Sequence, residues 1–369
     1  MQWNWQLPDW PNFSYDRSKL EAMEERFLLG FGLLFGAFKH LTDEETDQLT
    51  VDIISNEALK TSEIEGEYLN RESLQSSIRH QLGLEADRPQ ISPAEQGIAE
   101  LMTSLYRSFP DPLTHEQLFQ WHGMLLQGRW NLQDVGCYRT HTEPMQIVSA
   151  TRNEIKIHFE APPSIRVPIE MDRFLVWFNQ TSADGVHRLP VLVRVGIAHL
   201  YFVTIHPFED GNGRIGRALA EKSLAQSVGQ PTLIALSHLI EKEKKAYYNA
   251  LAQANRSNDI TSWLLYFGQM ILDAQTYTQQ RIEFLIEKAK LFDKLRGRIN
   301  TRQAKVLVRI FRAGPEGFTG GLSAGNYISI TKATKSTTTR DLNDLVDKGA
   351  LFKTGDLRGT RYFLAIHPH

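Results

Sequence analysis

The sequence predicts a mainly α-helical protein with one small β-hairpin, closed by a module of three helices and a second hairpin. Three observations predict it. Apolar residues recur at helical spacing through most of the first three hundred positions. A short alternating stretch, Ile147-Val148 and then Ile155-Lys156-Ile157-His158-Phe159, is the one convincing strand signal there. From Thr301 the pattern changes to three short helical runs, with Leu351–Thr354 and Arg361–Leu364 framing a Gly-rich turn.

Taken in order, residues 3–15 hold Trp3, Trp5, Trp10, Phe13 and Tyr15 among prolines, which reads as an extended aromatic arm clamped on the body. Leu20–His40 is apolar on more than one face, as a buried helix would be. Asp43-Glu44-Glu45 suits the first turn of a helix that runs through Leu49, Ile53, Ile54 and Leu59 and stops at Gly66. Further helices are expected at Ser92–Phe109, Thr114–Leu126, Pro168–Asn179, Val191–Ile205, Arg217–Gln226 and Ser237–Asn255, then from Ile260 toward Leu295. Gln303–Arg312, Ser323–Ile330 and Lys335–Lys348 supply the last three. The boundary before that module is expected near 297–300.

Composition bounds the function classes. Hydrophobic residues make up 41% and charged residues 23% of 369, which is globular rather than disordered. Cys137 stands alone, so no internal disulfide is expected; a reducing compartment and a small core residue are. The polar, aromatic start does not resemble a leader, and the apolar run Phe27–Phe38 falls short of the roughly 20 residues a membrane span needs. A soluble cytoplasmic protein is expected. Net charge is −2, yet residues 281–369 hold 17 Lys+Arg against 8 Asp+Glu. Such asymmetry suits a basic module facing an acidic partner or nucleic acid.

The chemistry concentrates in His206-Pro207-Phe208-Glu209-Asp210-Gly211-Asn212-Gly213-Arg214-Ile215-Gly216-Arg217. Gly211, Asn212 and Gly213 let backbone N–H groups converge, and the following helix presents its positive end. Arg214 and Arg217 can face one anion from a single helix turn. A carboxylate at Asp210 can hold Mg²⁺ against phosphates. His206 can take a proton from an attacking hydroxyl near neutral pH. Together these groups make a kit for phosphoryl or nucleotidyl transfer. Phe208 and Ile215 read as core anchors of the loop.

The loop resembles the Fic family motif, His-Pro-Phe-x-Asp/Glu-Gly-Asn-Gly-Arg-x-x-Arg, at every defined position, and the similarity runs from about Glu57 to Tyr277. The resemblance implies a Fic-type helical bundle with a hairpin flap, followed by a winged helix. It divides the chain into 1–90 (a helical region with an inhibitory helix), 91–298 (the catalytic core) and 299–369 (the winged-helix-like domain). It implies that His206 deprotonates a protein hydroxyl that attacks the α-phosphate of ATP. Asp210 would bind Mg²⁺, Gly211, Asn212 and Gly213 would form the anion hole, and Arg214 and Arg217 would contact the β- and γ-phosphates. Tyr247, Tyr248 and Asn255 match residues that border the nucleoside, although adjacent aromatics on a helix also read as core. Ile157, His158, Phe159 and Glu160 resemble a flap that holds a target segment by strand-like pairing.

Thr61-Ser62-Glu63-Ile64-Glu65-Gly66 fits the inhibitory pattern of that family, Ser/Thr-x-x-x-Glu-Gly/Asn. Thr61 and Glu65 share one helix face, and a Glu65–Arg217 pair would occupy the guanidinium meant for the γ-phosphate. Glu63 and Glu67 are expected on other faces. In the terminal module, Lys332, Lys335, Thr337, Thr338, Thr339 and Arg340 open the third helix, and Lys353, Arg358 and Arg361 would decorate the wing. Asp341, Asp344 and Asp347 on that same helix weaken a DNA-phosphate face, so DNA and protein partners stay open. The expected function is a self-inhibited protein AMP transferase acting on a Tyr, Ser or Thr hydroxyl, itself included. A homodimer and no membrane association are expected alongside it. The alternatives are a nucleotide-sensing DNA-binding regulator and a hydrolase that removes AMP.

Overall fold

The structure, a computed structural model, describes residues 2–38, 41–84, 91–150, 155–311, 314, 318 and 320–366. Helix starts follow local capping chemistry. Thr42 opens α2 (Asp43–Ile64) with a reciprocal box: its Oγ accepts from Glu45 N–H while Glu45 Oε2 accepts from Thr42 N–H at 2.8 Å. Ser92 and Glu95 do the same for α4 (Pro93–Ser108), with Pro93 in its first turn. Gly66 ends α2 at φ 82°, a left-handed position that favours glycine.

The remaining helices of the larger unit are α1 (Glu21–Phe38), α3 (Arg71–Gln81), α5 (His115–Leu125), α6 (Val167–Gln180), α7 (Val191–Ile205), α8 (Asn212–Val228), α9 (Leu236–Lys242) and α10 (Lys244–Ala254). The long α11 (Thr261–Leu295) follows. The chain divides into compact units at Met1–Thr276 and Tyr277–His369. In the first, α7 is the central helix, buried at nearly every residue and packed along α8. Among the described residues, no helix is long and apolar enough to cross a membrane.

Three local expectations are corrected, and one helix has no counterpart among those expected. Helix α3 was not legible, because its core stripe is only Leu74, Ser77 and Ile78 in an otherwise polar run. Ser237–Asn255 is two helices, broken at Glu243 (φ −111°, ψ 27°). Helix α1 buries Phe27, Phe31 and Leu34 but exposes Leu28, Leu29 and Leu33. Cys137 is exposed in the loop between α5 and the hairpin rather than in the core.

The hairpin pairs β1 (Gln146–Ala150) with β2 (Ile155–Glu160) antiparallel, with a bulge between Ile147 and Val148. Its turn residues 151–154 lie outside the described residues. The aromatic arm braces its base: Trp3 meets Phe159 edge-on at 5.3 Å, and Trp5 Nε1 donates to the Glu160 carbonyl at 2.7 Å. Trp10 Nε1 donates to buried Glu170 at 3.0 Å.

The smaller unit gathers the end of α11 with α12 (Thr301–Phe311), α13 (Ala324–Thr331), α14 (Lys335–Asp347), β3 (Leu351–Thr354) and β4 (Arg361–Leu364). Leu295, Leu307, Tyr327, Leu342 and Leu345 are central to its own core. Asp341 faces inward, accepting from Arg302 Nε and the Tyr327 hydroxyl at 2.9 Å each. Asp344 accepts from Gln303 Nε2 and pairs with Lys348. Thr338 is buried, while Lys335, Ser336, Thr339 and Arg340 are exposed.

Candidate active site

The functional loop begins where α7 ends. His206 caps that helix in the left-handed region (φ 51°, ψ 58°), a conformation costly for a residue with a Cβ. Its Nδ1 lies 3.3 Å from the Val203 carbonyl. That contact selects the Nδ1–H tautomer and leaves the Nε2 lone pair free. Burial, with Arg139 nearby, lowers the His206 pKa to about 4, so the ring is neutral at pH 7.

The loop then closes on itself. Asn212 donates Nδ2–H to Phe208 O (2.8 Å) and accepts from Phe208 N–H at 2.9 Å. These bonds make Asn212 helical, so α8 starts five residues before the expected Arg217 and carries both arginines. Gly211 sits at φ 83°. Phe208 and Ile215 are fully buried anchors, as expected. Asp210 is partly exposed, with Arg214 at 3.6 Å and Arg129 at 3.8 Å. Among the described residues, no group of three or more His, Cys, Asp or Glu could hold a metal. Mg²⁺ needs no such cage when substrate phosphates and water complete its shell, so one accessible carboxylate fits it.

Both arginines are already engaged by carboxylates. Arg217 donates Nε–H to Thr61 Oγ at 2.7 Å and Nη2–H to Glu65 Oε1 at 2.7 Å. Burial is the largest influence and opposes its charge, but Glu65, Tyr247 and Tyr248 together outweigh it and the pKa is raised. A Cβ placed on Gly213 would lie 2.3 Å from Glu65 Oε1, so the carboxylate lies directly over the Gly-Asn-Gly turn. Glu65 follows the last residue of α2, and the chain turns at Gly66. That turn carries Glu67 to Arg214, 2.8 Å away, against the expectation that Glu67 points elsewhere. Glu63 pairs with Lys60 instead.

Other expected residues are placed as follows. Tyr247 is buried, its hydroxyl 2.6 Å from His199 Nε2, whereas Tyr248 is 39% exposed and packs edge-on against it. Asn255 is buried, accepts from Thr204 Oγ at 3.1 Å and takes the Asn4 N–H on its carbonyl. In the hairpin Ile157 is exposed and Phe159 buried, His158 is half-buried, and the Glu160 side chain accepts from Gln146 Nε2 at 2.7 Å.

Residues without a sequence signal complete the site. His122 stacks on Phe208 at 4.1 Å, donates Nε2–H to Asp210 O and accepts on Nδ1 from Gly136 N–H. Both bonds require a neutral ring, and burial lowers its pKa to about 4. Arg139 donates Nε–H to His206 O at 2.8 Å. Each meets the loop only through tertiary packing.

Behind Arg217, Glu57 of α2 accepts the Ser237 N–H at 2.9 Å, and Glu221 of α8 accepts from Thr232 Oγ at 2.6 Å. Burial raises Glu57 to about 8 and Glu221 to about 7. Groups with raised folded pKa stabilise fully below the unfolded value and lose that stabilisation as pH rises through the folded one. His122, His199 and His206, each lowered to about 4 chiefly by burial, act oppositely and destabilise as pH falls from 6.5 toward 4. Melting temperature is therefore expected to peak near pH 6.5, where the histidine limb ends, and to fall from there to about pH 8, where Glu57 ionises in the folded state as well. Glu57 contributes a decline that runs from pH 4.5 to about 8, so Glu57→Gln should flatten the fall above pH 6.5 and steepen the rise below it in melts monitored by circular dichroism.

Comparison with known proteins adds a second line. The Fic/DOC family pattern matches residues 112–224, and a domain of unknown function, DUF4172, matches residues 3–84. Over 119 residues the chain is 32% identical to the protein adenylyltransferase Fic of Drosophila mojavensis, covering 32% of this chain and 22% of that protein. The Drosophila melanogaster protein of that name is 31% identical over 119 residues, 32% of this chain and 23% of the fly protein. The chain thus spans about a fifth of the length of these relatives. A crystal structure of a Fic family protein from Desulfovibrio desulfuricans G20 shares the fold with a TM-score of 0.53 at 20% identity, over 96% of this chain and 98% of that one.

Proposed function

We propose, because residues 112–224 match the Fic/DOC family, that the chain is a self-inhibited protein adenylyltransferase. It moves AMP from ATP to a Tyr, Ser or Thr hydroxyl of a protein, including its own. The observation that carries this reading is the Glu65 carboxylate lying over Gly213 and paired with Arg217. An anion already sits in the cradle where a nucleotide phosphate belongs.

In this reading His206 Nε2 takes the proton of the target hydroxyl, whose oxygen attacks the α-phosphorus while pyrophosphate leaves. The Val203 carbonyl holds the ring in the tautomer that can do so. Gly211, Asn212 and Gly213 cradle phosphate oxygens, and Arg214 and Arg217 neutralise the β- and γ-phosphates. Asp210 would hold Mg²⁺, whose chemistry there is to neutralise phosphate charge. Tyr248 and Asn255 would border the nucleoside, with buried Tyr247 supporting them from the core. The exposed Ile157 edge of the hairpin, with His158 and Glu160, offers main-chain pairing to a target segment.

The brake is two-pronged. Glu65 holds Arg217 and Glu67 holds Arg214, so neither guanidinium is available to a triphosphate. Mass spectrometry of Glu65→Gly protein after incubation with ATP and Mg²⁺ tests the function. A gain of one AMP on a Tyr, Ser or Thr is expected; unmodified protein that still binds ATP would rule it out.

A second reading concerns the smaller unit, and a specific observation favours it. Asp341 and Asp344 are turned to partners within the unit, which leaves Lys335, Ser336, Thr339 and Arg340 outward at the start of α14. That face suits DNA phosphates. Lys335→Glu with Arg340→Glu should weaken duplex binding in gel shifts and reduce the salt slope by about 2. Binding indifferent to both substitutions would point to a protein partner.

A further inference from the structure

We propose that Arg139 is a positioning residue that ties the hairpin to His206 and holds His206 in its left-handed conformation. The inference rests on reading His206 as the base and the hairpin as the target-binding flap. Arg139 is 2% exposed, and no carboxylate pairs with it among the described residues. Its guanidinium instead spans two pieces of chain. Nε–H donates to His206 O at 2.8 Å, and Nη2–H reaches the Ile205 carbonyl at 3.5 Å. Nη2–H also donates to Pro162 O, and Nη1–H to Ser164 Oγ at 2.8 Å, both just after β2. The Arg139 backbone N–H donates to Pro207 O at 3.0 Å.

A buried cation without a counter-anion is costly. The negative end of the α7 dipole provides the compensation, since Ile205 and His206 carry carbonyls the helix cannot satisfy itself. The same bonds have a geometric consequence. His206 pays steric strain at φ 51°, and its carbonyl is aimed by Arg139 rather than by a neighbouring turn. Because the same fork holds Pro162 and Ser164, the end of β2 and the base move as one body. A lysine could keep the charge but not the planar fork.

The test uses the full chain in the Glu65→Gly background with Arg139→Lys and Arg139→Met. Expected results are ATP affinity within twofold of the parent by calorimetry, and kcat reduced about tenfold for Lys and about a hundredfold for Met. Histidine-¹⁵N NMR, with His206 assigned by His206→Ala, supplies a readout independent of turnover. The parent should show a single Nδ1–H tautomer, and Arg139→Met a mixture of tautomers with a shifted His206 backbone amide. A folded Arg139→Met protein with unchanged kcat and an unchanged His206 spectrum would overturn the proposal. So would ATP affinity falling in parallel with kcat, the mark of a merely structural role. If the parent transfers no AMP, the functional reading fails, and the NMR comparison still decides whether Arg139 positions His206.

Discussion

A chain carrying Glu65→Gly and His206→Ala is expected to bind ATP and transfer no AMP above background. General-base removal costs about 10²–10⁴ in rate. Three other histidines among the described residues do not replace it. His122 has both ring nitrogens committed, to Asp210 O and Gly136 N–H. His199 is fully buried between Gly216 O and the Tyr247 hydroxyl. His158 is half-buried on the hairpin rather than in the loop. Labelled ATP with gel autoradiography reads transfer, and calorimetry reads binding. With the His206 pKa near 4, kcat of the Glu65→Gly parent should stay flat from pH 6 to 8 and fall only toward pH 4. Loss of ATP binding in the His206→Ala chain would show that His206 binds substrate rather than accepting its proton.

Glu65→Gly alone is expected to raise AMP transfer by one to two orders of magnitude, roughly the effect of displacing a reacting phosphate by about 1 Å. The substitution empties the space over Gly213 and frees Arg217, which keeps its bonds to Thr61 Oγ and the Thr61 carbonyl. A buried guanidinium that has lost its carboxylate is destabilising, so the melting temperature of the apo variant should fall by several degrees. ATP should restore it, because the nucleotide returns an anion to Arg217 and binds only the folded state. Glu67→Gln on top of Glu65→Gly should tighten ATP by roughly fivefold, the worth of about 1 kcal/mol for a partly exposed ion pair. Equal ATP affinity in single and double variants would confine the brake to Glu65.

Much of this was legible in the chain itself. The α7–loop–α8 segment reads directly, because an apolar run ending in His206, a Gly-Asn-Gly turn and two arginines in one helical turn are all set by neighbours. Thr61 and Glu65 read for the same reason, as positions four apart about one helix end. Local sequence places the start of α8 too late because Asn212 reads as a turn residue, and its side-chain bonds to Phe208 form only in the folded loop.

Local sequence specifies the helical class, the hairpin and the inventory of base, cradle and cations. Each depends on periodicity or on residues within a turn or two, where backbone geometry leaves few choices. The packing of distant segments settles which carboxylate meets which arginine. Glu67 is 147 residues from Arg214, and Arg139 is 67 from His206, separations at which no local pattern specifies a partner. It also turned Asp341 inward onto Arg302 and Tyr327, which changes the charge that α14 presents. Such pairings follow from which faces are packed together and from the cost of leaving a buried charge or polar group without a partner.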